Sequence, residues 1–492
     1  MRKIIGIFLI GIAMPMLNYA QQATDVMRYT RQEITGTART MGVSNSNGAL
    51  GGDFGAIQQN PASLGIYRKS EFVFSPGFYL IGSETDVLNS DSASLLNSNS
   101  THLAIDNIGM VFASKLNQRS KNTFNVAIGF NRLAKFNRTF EYSGVTLGSI
   151  GTRFAELANG KQPNELNNYR EGLAFDAYVI GIEEQGLNYF SDFTDEDLVL
   201  KNGEFRSSGG SYEIDLSFAS NIDQKLSIGL KLGVPIVSYE EEILYTESDV
   251  RELSPFFKRL EYDQYLNTTG TGFNTSLGLI YSPVFPVRFG LTFQSPSWYS
   301  MTDDFDSRVF FDYVDNPDIF PTPPPQEVLS PNGRFNYNLT TPWAIRGQAG
   351  FILGKNGFIS AEVEYLDYAN ASFSYENGFE LAERRINQDI RDIYDEVINI
   401  KAGGEYAYEK FRARIGTAFY QSPLKDDNAF SSSFSGGLGY RADNFFLDLT
   451  YRWSQDDFNF SPYQRSNPTD AKTTVDLNQN IHHLLLTIGF KL

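Results

Sequence analysis

The strongest constraint on this chain is an alternation of apolar and polar residues with period two, repeated along its length. In the closing segment Leu484, Leu486, Ile488, Phe490 and Leu492 share one parity, and His483, Leu485, Thr487, Gly489 and Lys491 share the other. Side chains alternate across a β-strand, so this is a strand with one greasy face and one small or polar face. Phe124, Val126, Ile128 and Phe130 repeat the pattern, as do Tyr212, Ile214, Leu216 and Phe218, and Phe445, Leu447, Leu449 and Tyr451. About fourteen such segments follow one another, with end points good to a few residues.

The connections between them sort into two sets. Short turns are expected at residues 117–122, 221–224, 282–286 and 354–357, around Glu409, and at 441–444. Long polar loops are expected at 143–209, 240–269, 301–333 and 374–395. Outer-membrane barrels combine an even strand number with short periplasmic turns and long external loops. A soluble sandwich has no reason to gather its long loops at one end. The aromatic Phe490, two places before the terminus, is similar to the C-terminal signal of such barrels. The expected fold is all-β: a transmembrane antiparallel up-and-down barrel of about 14 strands.

Composition fits that reading. Mean hydropathy is −0.29, because lipid-facing and lumen-facing residues cancel in any window. A net charge of −17 argues against nucleic acid, which needs basic patches. The absence of cysteine excludes disulfides and thiolate metal sites. Arg2 and Lys3, an apolar run from Ile4 to Ala13 and small Ala20 before Gln21 read as a signal peptide over residues 1–20. Residues 21–68 are rich in Gly, Ala, Ser, Thr and Asn, with Met41, Leu50, Phe54 and Ile57 recurring. Such a segment suits compact irregular backbone inside a lumen, an N-terminal hatch. Residues 69–492 would be the barrel with its extracellular loops.

By parity the lumen face holds Glu213, Asp215, Lys231, Arg288, Arg346, Glu362, Glu364, Lys401, Glu405, Arg412, Arg414, Asp448 and Arg452. Mixed signs on facing strands predict internal ion pairs bracing barrel and plug. Three stretches show helical spacing: Ile150, Phe154 and Leu157; Leu253, Phe257 and Leu260; Ile386, Ile390 and Ile393. They read as short helices over the mouth. Phe154, Leu157, Phe256, Phe257 and Leu260 are candidates for an external apolar groove.

The segment after the signal carries a resemblance. Thr37-Ala38-Arg39-Thr40-Met41-Gly42, Gly48-Ala49-Leu50-Gly51-Gly52-Asp53 and Asn60-Pro61-Ala62-Ser63-Leu64-Gly65 resemble the start of the FadL/TodX/OmpP1 family of outer-membrane transport proteins. The Asn-Pro-Ala triplet just before the first strand is the most telling part; the family often has Gly where Ser63 stands. The likeness covers residues 21–79 and is supported by Asn338-Leu339-Thr340-Thr341-Pro342-Trp343. It implies a barrel blocked by an N-terminal hatch that takes up long-chain fatty acids or aromatic hydrocarbons by passive diffusion, in some members with lateral exit through the wall. It also implies that Asn60, Pro61 and Ala62 are gating residues of the hatch, joined here by Phe54. Proline fixes its own φ and biases Asn60 toward extended backbone, which suits a joint between plug and wall.

Other classes are weighed on specific residues. A structural or accessory barrel in a larger outer-membrane complex would use the external loops, including the proline-rich 317–325 stretch, for docking to other outer-membrane proteins. Catalysis needs a base near a nucleophile. His482 and His483 lie near the start of the terminal strand, and His483 shares the inward parity of Asp448 on the neighbouring strand, but no serine motif accompanies them, so no enzyme is expected. His102, expected on an external loop, is too isolated for haem, and no cofactor or metal is expected. The expected surroundings are outer-membrane lipid, lipopolysaccharide and hydrophobic small molecules.

Overall fold

Fourteen strands close into one antiparallel barrel in the computed structural model. Residues 23–492 are described except 32, 34, 93–94, 116–121, 185, 250–256, 314–325, 377, 426, 428, 468–469 and 471. The expected signal at 1–20, Leu253, Phe256 and the 317–325 stretch therefore lie outside the described residues. The strands are β1 (Glu71–Val87), β2 (Leu96–Lys115), β3 (Thr123–Lys135, resuming as Arg138–Leu147), β4 (Leu198–Ile222), β5 (Leu226–Ser248) and β6 (Phe257–Tyr281). They continue as β7 (Val287–Gln294, resuming as Trp298–Tyr313), β8 (Gly333–Thr340, resuming as Ala344–Ile352) and β9 (Gly357–Asp367, resuming as Ser372–Tyr375). The last five are β10 (Glu396–Tyr408), β11 (Phe411–Gln421), β12 (Phe430–Arg441), β13 (Phe445–Phe460) and β14 (Val475–Lys491). β14 pairs back onto β1 from Glu71↔Lys491 to Val87↔Val475, so the sheet has no free ends.

The outer face is an apolar belt. Phe289, Leu291, Ile359, Ile398, Ile400, Ile415, Leu438, Leu447 and Leu484 are exposed, and tens of similar side chains join them around the wall. A water-soluble monomer does not expose a continuous patch of that size, whereas the lipid face of an outer-membrane-type barrel requires it. Among the described residues no helix is long and apolar enough to cross a membrane; the crossing is made by strands.

Above the belt the exterior of β4 to β8 changes character. Arg206 pairs with Glu242 (3.3 Å), Arg308 with Asp263 (2.5 Å) and Glu261 (2.6 Å), and Arg334 with Asp304 (3.3 Å). These strands rise past the lipid into water and form a collar. This corrects the expected long loops. Most of 240–269 and of the described part of 301–333 is strand, because a wall that has left the lipid no longer needs greasy residues outside, whereas 143–209 is mainly loop and short helices between its strand ends. It also corrects the helical reading of Phe257 and Leu260, which sit in β6. The spacing predicts helices correctly at α4 (Ile150–Ala158) and α6 (Glu380–Ile393), with α5 (Glu171–Asp176) between them; all three are labelled after the plug helices α1 (Ala23–Thr30), α2 (Ala38–Gly42) and α3 (Phe54–Gln59).

The N-terminal segment fills the bore. α1 lies high, with Val26 and Tyr29 in one apolar cluster with Tyr239, Tyr337, Ile390 and Tyr394. α2, α3 and the 3-10 turn Pro61–Ile66 lie lower, nearly all their side chains buried.

Candidate functional site

The lower lumen is sealed by shape and by hydrogen bonds. Three cross-strand glycine pairs on the inner wall, Gly109↔Gly129, Gly229↔Gly278 and Gly403↔Gly416, are seats for the plug. A Cβ at Gly109 or Gly129 would strike the Phe54 ring; at Gly229 or Gly278, the Asn60-Pro61-Ala62 turn; at Gly403 or Gly416, the backbone of Val43. Asn60 donates through Nδ2 to Gln348 Oε1 (2.8 Å) and the Leu279 carbonyl (3.2 Å), while its Oδ1 accepts from Ala62 N–H (3.0 Å). Ser227 donates to the Ala62 carbonyl (2.6 Å) and Asn125 to that of Leu64 (2.8 Å). Arg39 reaches Glu405 (3.0 Å), and Thr450 donates to the Ala38 carbonyl (2.6 Å). The four predicted hatch residues are thus fully buried at the plug–wall seam. The glycine seats themselves were not singled out in the sequence; the signal available was glycine at inward parity on neighbouring strands.

Around the seats the inward charges pair as their alternation predicts. Lys231 meets Glu213 (2.5 Å), Arg346 meets Glu364 (2.6 Å), Lys401 meets Glu362 (2.9 Å), and Arg414 bridges Glu405 and Asp448 (2.7 Å each). Asp448 is committed to Arg414 and Arg441. His483 pairs instead with Asp106, its Nε2 lying 2.9 Å from Oδ2, so the histidine–aspartate pairing weighed above does not form.

The upper lumen is sealed by an apolar core. α4, α5, the short ladder of Ile180–Ile182 with Tyr189–Ser191, and the collar strands bury Phe140, Tyr142, Phe154, Leu173, Phe193, Phe257 and Leu260 together. Of the groove candidates, Phe154, Phe257 and Leu260 are inside this core and Leu157 is half-buried, so an open groove at these residues does not exist in this conformation. The cap is anchored by Glu247, which accepts from Ile150 N–H (2.7 Å), Tyr245 Oη (2.6 Å) and Ser149. At its rim Glu156 accepts from Arg465 (2.7 Å), Ser466 N–H (3.1 Å) and Arg153 (3.1 Å). Burial opposes ionisation of Glu156, and these hydrogen bonds outweigh it, holding the carboxyl below its ordinary 4.5.

Between the two seals is a chamber of about 350 Å³. Rings and apolar groups (Tyr79, Phe136, Phe205, Met27) share its lining with Arg28, Arg31, Arg138 and Arg452.

Beside the chamber the wall is incomplete. β2 and β3 are hydrogen-bonded from Lys115↔Thr123 up to Asn107↔Asn131. Above that, residues 96–105 of β2 pair with β1 alone. β3 carries an extra residue, Leu133, where its register with β4 shifts between Arg132 and Ala134. One inserted residue moves every later side chain to the other face. Phe140 and Tyr142, which simple alternation would place on the lipid side with Ile128 and Phe130, therefore point inward. The upper half of β3 tucks behind its neighbours: Thr85 donates to the Glu141 carbonyl (2.6 Å) and Arg138 to Gln479 of β14 (3.2 Å). A slit results, bordered by β2 and by Phe136 and Asn137, which also line the chamber. His102 Nδ1 and Asn137 Nδ2 face each other across it at 3.4 Å. His102 is therefore a strand residue, not the external-loop residue expected; its polar neighbours Asn97, Asn99 and Thr101 concealed the strand. Leu103 on the same edge is 82% exposed on the lipid side.

Blocked bore, capped mouth and side slit together define a class: a closed transmembrane barrel of outer-membrane type that offers no straight aqueous path. No protein-family profile matches the sequence, and no curated protein matches it. Solved structures do match in fold. A Pseudomonas aeruginosa FadL homologue aligns with a TM-score of 0.55 at 11% identity, over 94% of this chain and 99% of that one. The Ralstonia pickettii toluene transporter TbuX aligns at 0.50 and 13% identity, over 92% and 97%. The P. putida toluene transporter TodX aligns at 0.51 and 9% identity, over 94% and 99%. Over nearly its whole length the chain resembles the FadL-type barrels in fold, as its N-terminal motifs led one to expect.

Proposed function

We propose that this protein is an outer-membrane uptake channel for hydrophobic compounds, long-chain fatty acids or aromatic hydrocarbons, which diffuse passively and leave sideways through the slit between β2 and β3. The observation that carries this reading is the ladder that stops at Asn107↔Asn131 beside the chamber. With the bore blocked on the periplasmic side, the slit is the exit that does not require the plug to leave its glycine seats. Asn60, Pro61, Ala62 and Phe54 hold the hatch, and gating is a local shift around them. Arg28, Arg31, Lys135, Arg138 and Arg452 outnumber the carboxylates of the chamber, Glu33 and Asp456, which favours a cargo with an anionic head, such as a fatty acid, over a bare hydrocarbon. Lipid and lipopolysaccharide surround the belt.

The protein has no cysteine, so a disulfide across the slit can be introduced cleanly. Crosslinked His102→Cys/Asn137→Cys protein is expected to lose fatty-acid uptake and to regain it on reduction. Normal uptake in the oxidised double variant would sink the lateral route.

One observation favours a second reading, a structural barrel in a larger outer-membrane complex: the mouth is closed by a well-packed core and framed by a charged collar above the lipid. Stoichiometric co-purification of another outer-membrane protein in mild detergent, with uptake unaffected by deletion, would select it.

A further inference from the structure

We infer that Asp106 is the pin of a latch that fixes how far β3 stands off from β2, and so sets the width of the slit; its consequence for passage rests on the lateral-exit reading above. The slit begins at a charged joint. Across the last paired position Asn107 Nδ2 donates to Asn131 Oδ1 at 2.5 Å. The next residue on each strand is charged: Asp106 Oδ1 and Arg132 Nη2 lie 3.1 Å apart, with side chains 0% and 1% exposed. Both occupy bulges. Ser75 faces Asn107 and Pro76 faces Ile105, which leaves Asp106 as the extra residue of β2 opposite β1. Arg132 is the last residue of β3 before its register shift.

Two further strands approach the same carboxylate. Tyr79 Oη of β1 donates to Asp106 Oδ2 at 2.9 Å, and His483 Nε2 of β14 lies 2.9 Å from that oxygen. The Tyr79 ring stacks on His483 at 3.8 Å and lies within 4.4 Å of both the Arg132 guanidinium and the Lys135 ammonium. Side chains from β1, β3 and β14 thus converge on one buried carboxylate of β2.

This joint differs from the other inward ion pairs. Arg346–Glu364 and Lys401–Glu362 link strands whose ladders continue on both sides of the pair, so the wall holds its shape without them. Beyond Asp106 and Arg132 no ladder joins β2 to β3. Among the described residues the Arg132 guanidinium nitrogens have no hydrogen-bond partner, and Asp106 is the carboxylate within ion-pair reach. Glu33 also acts on Arg132, but Asp106 is the carboxylate in contact with it, and removing that contact leaves a buried charge less compensated, which is unfavourable. Arg132 can relieve it by turning toward the chamber, and the break at Phe136 and Asn137 moves with it.

The test is a distance across the slit. Spin labels on Thr101→Cys and Thr139→Cys, in the otherwise cysteine-free full chain in lipid nanodiscs, would be read by double electron–electron resonance. Wild type is expected to show one narrow distance, and Asp106→Asn a broader and longer distribution. Tyr79→Phe removes a single hydrogen bond and keeps the ring, so it folds even if the asparagine variant does not; it should shift the same way by less. Glu364→Gln should leave the distribution unchanged. Unchanged distances in both latch variants, or equal broadening in Glu364→Gln, overturn the latch. If Asp106→Asn widens the slit while the 102–137 crosslink leaves uptake intact, the latch stands and the lateral route falls. If the crosslink stops uptake and both latch variants keep the wild-type distance, the latch falls and the route stands.

Discussion

The two ends of the lumen are closed by opposite chemistry. Below, the plug is joined to the wall by directional contacts: Asn60 to Gln348, Ser227 to Ala62, Arg39 to Glu405. Above, the cap is closed by a non-directional core around Phe140, Phe154 and Leu260. A polar seal is cooperative. Displacing the plug orphans many buried donors and acceptors together, at roughly 1–3 kcal/mol each. The cap's apolar side chains can part and repack without stranding a polar group, apart from those gathered at Glu247. Opening the cap rather than moving the plug is what the proposed route requires of these two seals.

The largest effect should come from the cap. Phe154→Ala is expected to cost roughly 3–5 kcal/mol locally, the usual price of truncating a buried phenylalanine. Hydrogen exchange should speed up in residues 150–182 while the amides of residues 38–67 keep their protection; parallel loss in both regions would erase the distinction. Next, Gly278→Val puts a side chain against the Asn60-Pro61 turn and should destabilise the plug by about 1–3 kcal/mol, as overpacking does. Limited proteolysis should then release N-terminal fragments from a barrel whose cap is intact. The smallest effect is at the cap rim. The carboxyl of Glu156 sits below its ordinary 4.5 in the folded protein, so its contribution is fully present above that value and fades as pH falls through the depressed one. Being partly exposed, the cluster is worth below about 1 kcal/mol. Glu156→Gln should flatten the acid limb of cap protection below pH 4.5 and change nothing at pH 7.

Much of this was legible in the residues. The outward apolar and inward charged parities of β4, β5, β9 to β11 and β13 are as read, and Lys231, Arg346, Lys401 and Arg414 found partners on facing strands. Three things were not. The collar was taken for loops, since Glu240, Glu241 and Glu242 break the greasy pattern once the strand has water outside. Phe257 and Leu260 match helical spacing because a bulge at Lys258 brings residues three apart to the same face of a strand. The groove residues proved to be a core, since spacing shows which side chains are apolar but not what covers them.

Local alternation was enough to settle that this chain forms a lipid-facing barrel with a polar interior, because strand pleating is a nearest-neighbour property written directly into residue order. Where the wall opens was decided only in three dimensions. Two single-residue bulges, at Asp106 and Leu133, meet across strands and turn Phe140 and Tyr142 inward. A register shift is a relation between strands, fixed by what each side chain finds opposite it, and no stretch of sequence read alone contains that partner.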